Sequence, residues 1–225
     1  MATNLKILSG GALRPLLAEA VPLFEGAHGV KAEVRFALTS VLAKEIGASF
    51  DIALLPRPEL DALAASCAIA PGTQTDIARS TVGLAVRQGA PKPDIATVEA
   101  LKRTLLAART IGYSDGPSGA YVAELLQRLG IAEEMRPKIR LTSRPVAELV
   151  ASGEAEVGMQ QIVAILPVQG ADLVGPLPSE LQNVIVYAAG IAAAAANPDA
   201  AAAFIGFMAT PEAVRIIRAK GLDPG

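Results

Sequence analysis

The sequence contains one cysteine, one histidine and no tryptophan, and these shortages limit the chemistry open to it. Cys67 has no second cysteine to pair with, so an internal disulfide and a cysteine-rich zinc site are excluded. His28 is the single histidine, so the sequence has too few imidazoles for a histidine-based metal site and little basis for a Ser-His catalytic triad. We therefore expect no metal and no cofactor, an exposed loop position for His28, and a buried one for Cys67.

Runs of positive charge and long apolar runs are also missing. The formal net charge is -2, 19% of the residues are charged, and the lysines and arginines do not cluster. Proteins that bind nucleic acid or an anionic membrane surface concentrate basic residues on one face. The longest apolar tract, residues 187–196, is much shorter than the roughly 20 residues of a membrane-spanning helix. The sequence predicts neither nucleic-acid binding nor membrane insertion.

The first residues, MATNLKILSGG, do not have the basic segment and long apolar segment of a signal peptide. Residues 5–8 already have the pattern of a buried strand. The chain thus begins where a mature exported domain would begin, with Met1 in the place of a removed leader. A periplasmic location is expected, and a cytoplasmic one stays open.

Short apolar runs alternate with segments of helical periodicity, which is typical of an α/β protein. Strands are predicted at residues 5–8, 30–36, 51–55, 80–86, 110–113, 139–141, 157–161 and 184–189. Helices are predicted at residues 12–25, 40–46, 59–66, 97–107, 117–129, 146–151, 197–208 and 211–220. Residues 167–182, rich in Pro and Gly, are predicted to form a loop, and Asn197 is predicted to cap the helix that follows it.

Three predicted helix starts consist of small and hydroxyl residues: Ser9–Ala12, Ala37–Ser40 and Gly116–Gly119. The first backbone N–H groups of a helix have no partner within it, and the positive end of the helix dipole faces outward there. Such a start can bind an anion without charged side chains. Taken singly, each is more often an ordinary helix cap, and three at corresponding positions favour an anion site only together with the family resemblance that follows.

Six segments, in order along the chain, resemble the molybdate-binding group of extracellular solute-binding proteins: LSGGALRPLLAEAVPLFEGAHGVKAEVRFALTSVLAKEI, SFDIALLP, IGYSDGPSGAYVAELLQRLG, EAEVGMQQI, NVIVYAAGI and AAAFIGFMATPEAVRIIRAKGLDP. The resemblance covers nearly the whole chain. It implies a two-lobe α/β fold of the type II periplasmic-binding-protein class, with two crossing strands near residues 80–84 and 184–188. Residues 1–80 with 189–225 would form a discontinuous first lobe, residues 81–188 would form the second, and the ligand would lie between them.

The same resemblance implies which residues contact the ligand. The family has a ligating serine where this sequence has Ala12, and Ser9 is the nearest hydroxyl that remains. The family's ligating tyrosine falls at Val186 or at the neighbouring Tyr187, which would face the opposite side of the strand. The predicted ligand-binding residues are Ser9, Gly11, Ala12, Thr39, Ser40, Ser118, Gly119, Gln160, Gln161 and Tyr187.

Departures from the family pattern favour a ligand larger than molybdate. The hydroxyl missing at Ala12 would suit a compact tetrahedral ion, whereas the amides of Gln160 and Gln161 reach farther and replace apolar residues. Arg79, beside the first crossing strand, would suit a planar carboxylate. The alternative is that the two glutamines form a polar strand end and that Arg79 is a solvated surface charge. We expect small carboxylates to bind more tightly than molybdate, sulfate or phosphate.

Two functions are consistent with these residues. The first is a binding protein, expected to be monomeric, that captures a small oxyanion or a di- or tricarboxylate for the permease of an ABC transporter. The alternative is an isomerase, because aconitate isomerase resembles this group and moves a proton on a small tricarboxylate. Such a step needs a base, and the carboxylate at the helix starts, Asp115, is of a type more often found in turns. Binding without catalysis is the main prediction.

Overall fold

The computed structural model describes residues 4–37, 50–115 and 117–225. The chain forms two compact units. The first extends to Arg79 and resumes with Ile185–Gly225, and the second is Ser80–Val184. The chain therefore leaves the first unit once and returns to it once. The predicted lobes, residues 1–80 with 189–225 and residues 81–188, stay a prediction.

Strands and helices alternate along most of the described chain. The strands are β1 (Asn4–Gly10), β2 (Lys31–Ala37), β3 (Ile52–Pro56), β4 (Thr75–Ser80), β5 (Val82–Arg87), β6 (Ile111–Ser114), β7 (Ile139–Thr142), β8 (Val157–Gln161), β9 (Ala171–Pro176), β10 (Ile185–Ile191) and β11 (Leu222–Pro224). The helices are α1 (Arg14–His28), α2 (Arg57–Ala65), α3 (Val98–Ala107), α4 (Pro117–Arg128), α5 (Ala132–Met135), α6 (Val146–Ser152), α7 (Ile162–Ile165), α8 (Pro198–Met208) and α9 (Pro211–Ala219).

The first unit is built on a six-stranded sheet in the order β11, β4, β10, β3, β1, β2. Strand β1 is parallel to β2 and to β3, whereas β10 is antiparallel to β3. Helix α2 packs against β3 and β10, and α1 packs against α8 and α9. Phe24 and Phe204 join α1 to α8 with their ring centroids 5.1 Å apart in an edge-to-face contact, the geometry that aromatic pairs prefer.

The second unit has its own five-stranded sheet in the order β7, β6, β8, β5, β9. Strand β6 is parallel to β7 and β8, and β5 is antiparallel to both of its neighbours. Its core joins buried residues of the sheet to those of α3 and α4, including Leu84, Met159, Leu101, Val122 and Leu125. The separate mixed sheets agree with the α/β class predicted from the sequence.

Most predicted elements are present, and several details differ. The predicted loop at residues 167–182 contains β9, and the single strand predicted at residues 80–86 is β5, preceded by the unpredicted β4. His28 is the last residue of α1, with its ring 4.5 Å from that of Phe24, so the loop prediction was wrong. Cys67 is exposed rather than buried, with φ 59° after the end of α2. The helix predicted at residues 40–46 lies outside the described residues.

Among the described residues, no single helix is long and apolar enough to span a membrane. Helices α8 and α9, which are bent by 66° relative to each other, meet both criteria only when they are counted together.

The carboxylate of Asp51 ties three distant parts of the first unit together. Asp51 is 2% exposed. Its Oδ2 accepts a hydrogen bond from the backbone N–H of Lys6 at 2.8 Å, and its Oδ1 accepts one from the N–H of Asn197, also at 2.8 Å. Asn197 is the N-cap residue of α8, as predicted, but its side chain donates to Asp51 and to the carbonyl of Asn4 and makes no capping hydrogen bond.

Replacing Asp51 with Ala should destabilise the first unit. The substitution leaves the N–H groups of Lys6 and Asn197 without an acceptor, and buried donors left unpaired cost about 1 to 3 kcal/mol each. We expect the free energy of unfolding, measured by urea denaturation, to fall by about 3 kcal/mol. Asp223→Ala, at an exposed position of β11, should change it by less than about 0.5 kcal/mol. Equal effects of the two substitutions would contradict this role for Asp51.

Candidate functional site

The parallel strands of the first unit end at a common edge of the sheet, which we call the first edge: Gly10, Ala37 and Pro56 are the last residues of β1, β2 and β3. The register aligns these ends, because Gly10 lies opposite Ala37. Strand β10 begins at this edge, with Tyr187 opposite Pro56. The carboxyl ends of strands are where α/β proteins usually bind ligands.

The start of α1 at the first edge has free backbone around two glycines. A short 3-10 turn, Gly11–Leu13, precedes α1, and no side chain caps either element. A Cβ atom at Gly10 or Gly11 would meet no atom of the described residues within 4 Å, which leaves the backbone open to close approach on their side. The side chain of Ser9 is fully buried, and its hydroxyl donates to the carbonyl of Gly10 at 3.2 Å. The first backbone N–H groups are thus the donors that this start offers.

Tyr187, rather than Val186, shares a sheet face with Ser9. Leu54 lies opposite both Ser9 and Ala189, and side chains of a strand alternate between faces, so Tyr187 is on the face of Ala189. Tyr187 is 3% exposed. Burial, and secondarily the charge of Glu59, raise the pKa of Tyr187 to about 12. Its hydroxyl therefore keeps its proton at neutral pH and can donate a hydrogen bond.

Arg14 adds a positive charge to the first edge that sequence reasoning missed. It is the first residue of α1, is exposed, and has its guanidinium carbon 3.9 Å from the ring centroid of Phe36 in β2. No described residue forms an ion pair or hydrogen bond with its side chain. A cation in the first turn opposes the helix dipole, and this was the signal in the sequence that could have revealed it.

The second unit has a corresponding second edge, at Ser114, Thr142 and Gln161, where β6, β7 and β8 end. Helix α4 begins there, and the hydroxyls of Ser114 and Ser118 are 2.8 Å apart. Gly119 is buried against the end of β6, and a Cβ atom there would overlap the carbonyl oxygen of Ser114. This close approach explains the glycine and presents the first turn of α4 at the edge.

The two glutamines of the second edge differ in surroundings. Both are half-buried at the end of β8. The side-chain oxygen of Gln160 accepts a long hydrogen bond, 3.4 Å, from the N–H of Ala147 in α6, which leaves its NH2 group as the available donor. Gln161 lies on the opposite face of the strand by alternation.

Asp115 is exposed, and its N–H donates to the carbonyl of Thr142.

Other predicted residues are placed elsewhere or not described. Thr39 and Ser40 lie outside the described residues, as does Gly116. Arg79 is exposed in β4 and has no ion pair with the described part of the chain.

A cavity of about 440 Å³ in the second unit lies at the amino end of β8, and none of the predicted site residues lines it. No group of three His, Cys, Asp or Glu side chains in the described ranges could hold a metal ion.

Replacing Gly119 with Ala should destabilise the start of α4, because the added methyl group would overlap the Ser114 carbonyl oxygen. We expect the free energy of unfolding to fall by about 1 to 3 kcal/mol, the usual cost of overpacking. Gly206 in α8 has open space at its Cβ position, so Gly206→Ala should raise stability by about 0.5 to 1 kcal/mol. Urea denaturation distinguishes the two, and a stabilised Gly119→Ala protein would refute the close approach.

The raised pKa of Tyr187 predicts a loss of stability in alkali. In the unfolded chain this phenol ionises near its ordinary pKa of about 10. In the folded protein its pKa is about 12, so its contribution is complete below pH 10 and is lost as pH rises through 12. Urea denaturation over this pH range should show a fall of about 2 to 3 kcal/mol that Tyr187→Phe largely removes. Identical pH dependence in both proteins would show that the tyrosine is not desolvated.

Comparison with known proteins identifies the family. Residues 5–223 match the family model described as bacterial extracellular solute-binding protein. The chain is 34% identical to an aconitate isomerase from a Pseudomonas species over 233 aligned positions, covering 99% of this chain and 88% of that protein. It is 32% identical to a molybdate-binding protein of Rhodobacter capsulatus over 108 positions, covering 47% of this chain and 42% of that one.

Solved structures show the same fold. A substrate-binding domain from Clostridium difficile, assigned to a molybdenum ABC transporter, superposes with a TM-score of 0.87 at 19% identity, covering all of both chains. This likeness and the two sheets confirm the predicted two-lobe periplasmic-binding-protein class. Because the family model covers nearly the entire chain, the protein belongs to the bacterial extracellular solute-binding protein family.

Proposed function

We propose that the protein binds a small anion carrying two or more carboxylates and delivers it to the permease of an ABC transporter. Membership of the extracellular solute-binding family supports the general role. The observation that carries the carboxylate preference is Arg14, stacked on Phe36 beside the open backbone of Gly10 and Gly11. A periplasmic location and a monomeric state are parts of the same proposal.

The stacking of Arg14 prepares it for a planar carboxylate. A guanidinium held over an aromatic ring is restricted in position, and its N–H groups remain available as hydrogen-bond donors. Two parallel N–H groups match the two oxygens of a carboxylate, whereas a tetrahedral oxyanion has no such planar pair. A bound carboxylate would also offset the unfavourable position of this cation at the helix start.

The backbone N–H groups of Gly11 and Ala12 supply further donors near Arg14. They belong to an uncapped helix start, which attracts negative charge. Tyr187, protonated at neutral pH, is a fourth proposed donor of the first unit. The other proposed ligand contacts are Ser9 through its backbone, Thr39, Ser40, Ser118, Gly119, Gln160 and Gln161.

A second candidate function, isomerisation of a small tricarboxylate, is favoured by one comparison. The aconitate isomerase relative matches 99% of this chain at 34% identity, whereas the molybdate-binding relative matches 47% of it. Binding of a tricarboxylate is common to both candidates. The first edge, with a cation, uncapped N–H groups and a protonated phenol, suits such a ligand in either case.

The proposal predicts that trans-aconitate or citrate binds and that Arg14 selects it. In isothermal titration, Arg14→Ala should weaken tricarboxylate binding by about 1.5 to 3 kcal/mol, the range for hydrogen bonds to charged groups. Arg14→Lys should recover part of this loss, because an ammonium keeps the charge but not the planar pair of donors. Molybdate and sulfate should bind more weakly than the tricarboxylates to the unaltered protein.

Arg215→Ala is the matched control, because this arginine is exposed on α9 of the same unit. It removes the same net charge and should leave the affinity unchanged within about twofold. Tight binding of molybdate with no heat from any tricarboxylate would refute the carboxylate proposal. An equal loss in Arg14→Ala and Arg215→Ala would show that net charge alone is responsible.

A further inference from the structure

The cavity of the second unit at the amino end of β8, which we call the α3 cavity, has the make-up of a small-molecule site. It measures about 440 Å³ and lies at the end of the sheet opposite the second edge. The buried side chains of Val86 and Val157, which are opposite each other in the sheet, form its floor. Its polar lining residues are Arg103, Thr104 and Glu156. Ligand sites are typically cavities of roughly 300 to 1,000 Å³ with a mostly apolar lining and a few polar groups.

The loop of residues 88–94, which forms one wall of the α3 cavity, is fixed by hydrogen bonds near both of its ends. The N–H of Gly89 donates to the carboxylate of Asp172 at 3.0 Å. The hydroxyl of Thr104 in α3 donates to the carbonyl of Asp94 at 2.9 Å. The cavity is therefore preformed, and a ligand can enter it without the entropic cost of ordering the loop.

A second cavity, of about 450 Å³, adjoins the α3 cavity, since Ala90 and Glu156 line both. Arg87 lines this second cavity, and its Nε donates to the carbonyl of Ala151 at 3.3 Å. A Cβ atom at Gly153 would lie 2.6 Å from the Nη2 atom of Arg87. The missing side chain at Gly153 thus leaves room for the guanidinium beside the shared wall.

The acidic side chains of the two cavities are already neutralised by arginines. The carboxylate of Glu156 accepts hydrogen bonds from the backbone N–H and the Nε of Arg109, at 2.8 and 3.1 Å. The carboxylate of Glu154 accepts two from Arg144, at 2.7 and 2.9 Å. Each carboxylate therefore has its own cation, and neither is left to balance another positive charge in the lining.

Arg103 and Arg87 are the cations that these pairs leave over. Both are exposed, and neither forms an ion pair within the described ranges of the chain. An exposed arginine alone is usually a solvated surface charge. Arg103 differs because its side chain lines a preformed apolar cavity, so that a cation and an apolar surface are available to the same ligand. This combination is complementary to a small anion that carries an apolar tail.

We propose that the α3 cavity binds a monocarboxylate with an apolar tail. The tail lies on the floor formed by Val86 and Val157, and the carboxylate receives hydrogen bonds from Arg103, whose parallel N–H groups match its two oxygens. Arg87 adds positive charge from the adjoining cavity. The first edge contributes no residue to this site, and the ligand has one carboxylate and an apolar part rather than several carboxylates.

The test is a titration of the purified, nitrogen-labelled protein with octanoate, octanol or acetate, followed by proton–nitrogen correlation NMR. Octanoate should shift the amide signals of Ala107, Glu156 and Val157, which line the cavity. Octanol lacks the carboxylate and should bind at least about 10-fold more weakly, the lower end for hydrogen bonds to a charged group. Acetate lacks the tail and should leave these signals unchanged at the same concentrations.

Two variants test the lining. Arg103→Ala should weaken octanoate binding at least about 10-fold, whereas Arg140→Ala, which removes an exposed arginine of β7 outside the cavity lining, should change it less than about twofold. Ala107→Phe should prevent binding, because the added ring would occupy the cavity. The spectrum of each variant reports whether it folds, and the affinity for trans-aconitate should be the same in all of them.

Several outcomes would overturn the proposal. Absence of shifts with octanoate, or shifts confined to residues outside the cavity, would refute the site. Equal binding of octanoate and octanol, or equal losses in Arg103→Ala and Arg140→Ala, would refute the selection of a carboxylate by Arg103. Binding of octanoate at the cavity by a protein that binds no tricarboxylate would support this site and refute the function proposed for the first edge.

Discussion

The buried carboxylate of Asp51 is the group on which the arrangement of the first unit depends. Its two oxygens accept hydrogen bonds from the N–H groups of Lys6 and Asn197, which are far apart in sequence. The backbone of Asp51 adds bonds to Lys6 and Ala192. These bonds hold the returning C-terminal segment next to the first strands. Strand β10 can then pair with β3 and bring Tyr187 opposite Pro56 at the first edge.

The two edges differ in the hydrogen-bond donors that they offer. At the second edge, hydroxyls, amides and the first turn of α4 provide neutral donors, with Gly119 closely packed against Ser114. The first edge adds charge to its backbone donors, through Arg14 over the ring of Phe36. Neutral donors suffice to hold a small oxyanion, as in a helix start that binds sulfate or phosphate. The guanidinium of Arg14 is an additional feature, which a larger organic acid can use.

The periodicity of apolar residues predicted most strands and helices, because the strands of both sheets and the helices packed against them bury apolar faces. Strand β4 was missed because its sequence, TDIARS, is half polar, and β9 because ADLVGP is bounded by the Gly and Pro residues typical of loops. Asn197 is of a residue type that often caps helices, but its side chain donates a hydrogen bond to Asp51, which is 146 residues away in the sequence. Local sequence cannot show such a partner, and for the same reason it could not show the stacking of Arg14 on Phe36.

The candidate site was predictable to the extent that helix starts can be recognised from small residues. Ser118 and Gly119 could be placed at the start of α4 from sequence alone, whereas the strand face of Tyr187 required the register with Pro56 and Leu54. Features of this kind depend on tertiary packing and appear only in three dimensions.

The most direct test of the account is a crystal structure of the protein with trans-aconitate bound. We predict one ligand carboxylate on the N–H groups of Gly11 and Ala12, with two hydrogen bonds from Arg14 and with the guanidinium still over the ring of Phe36. A ligand bound away from the first edge, or bound there without contact to Arg14, would contradict the central claim that this edge recognises carboxylates.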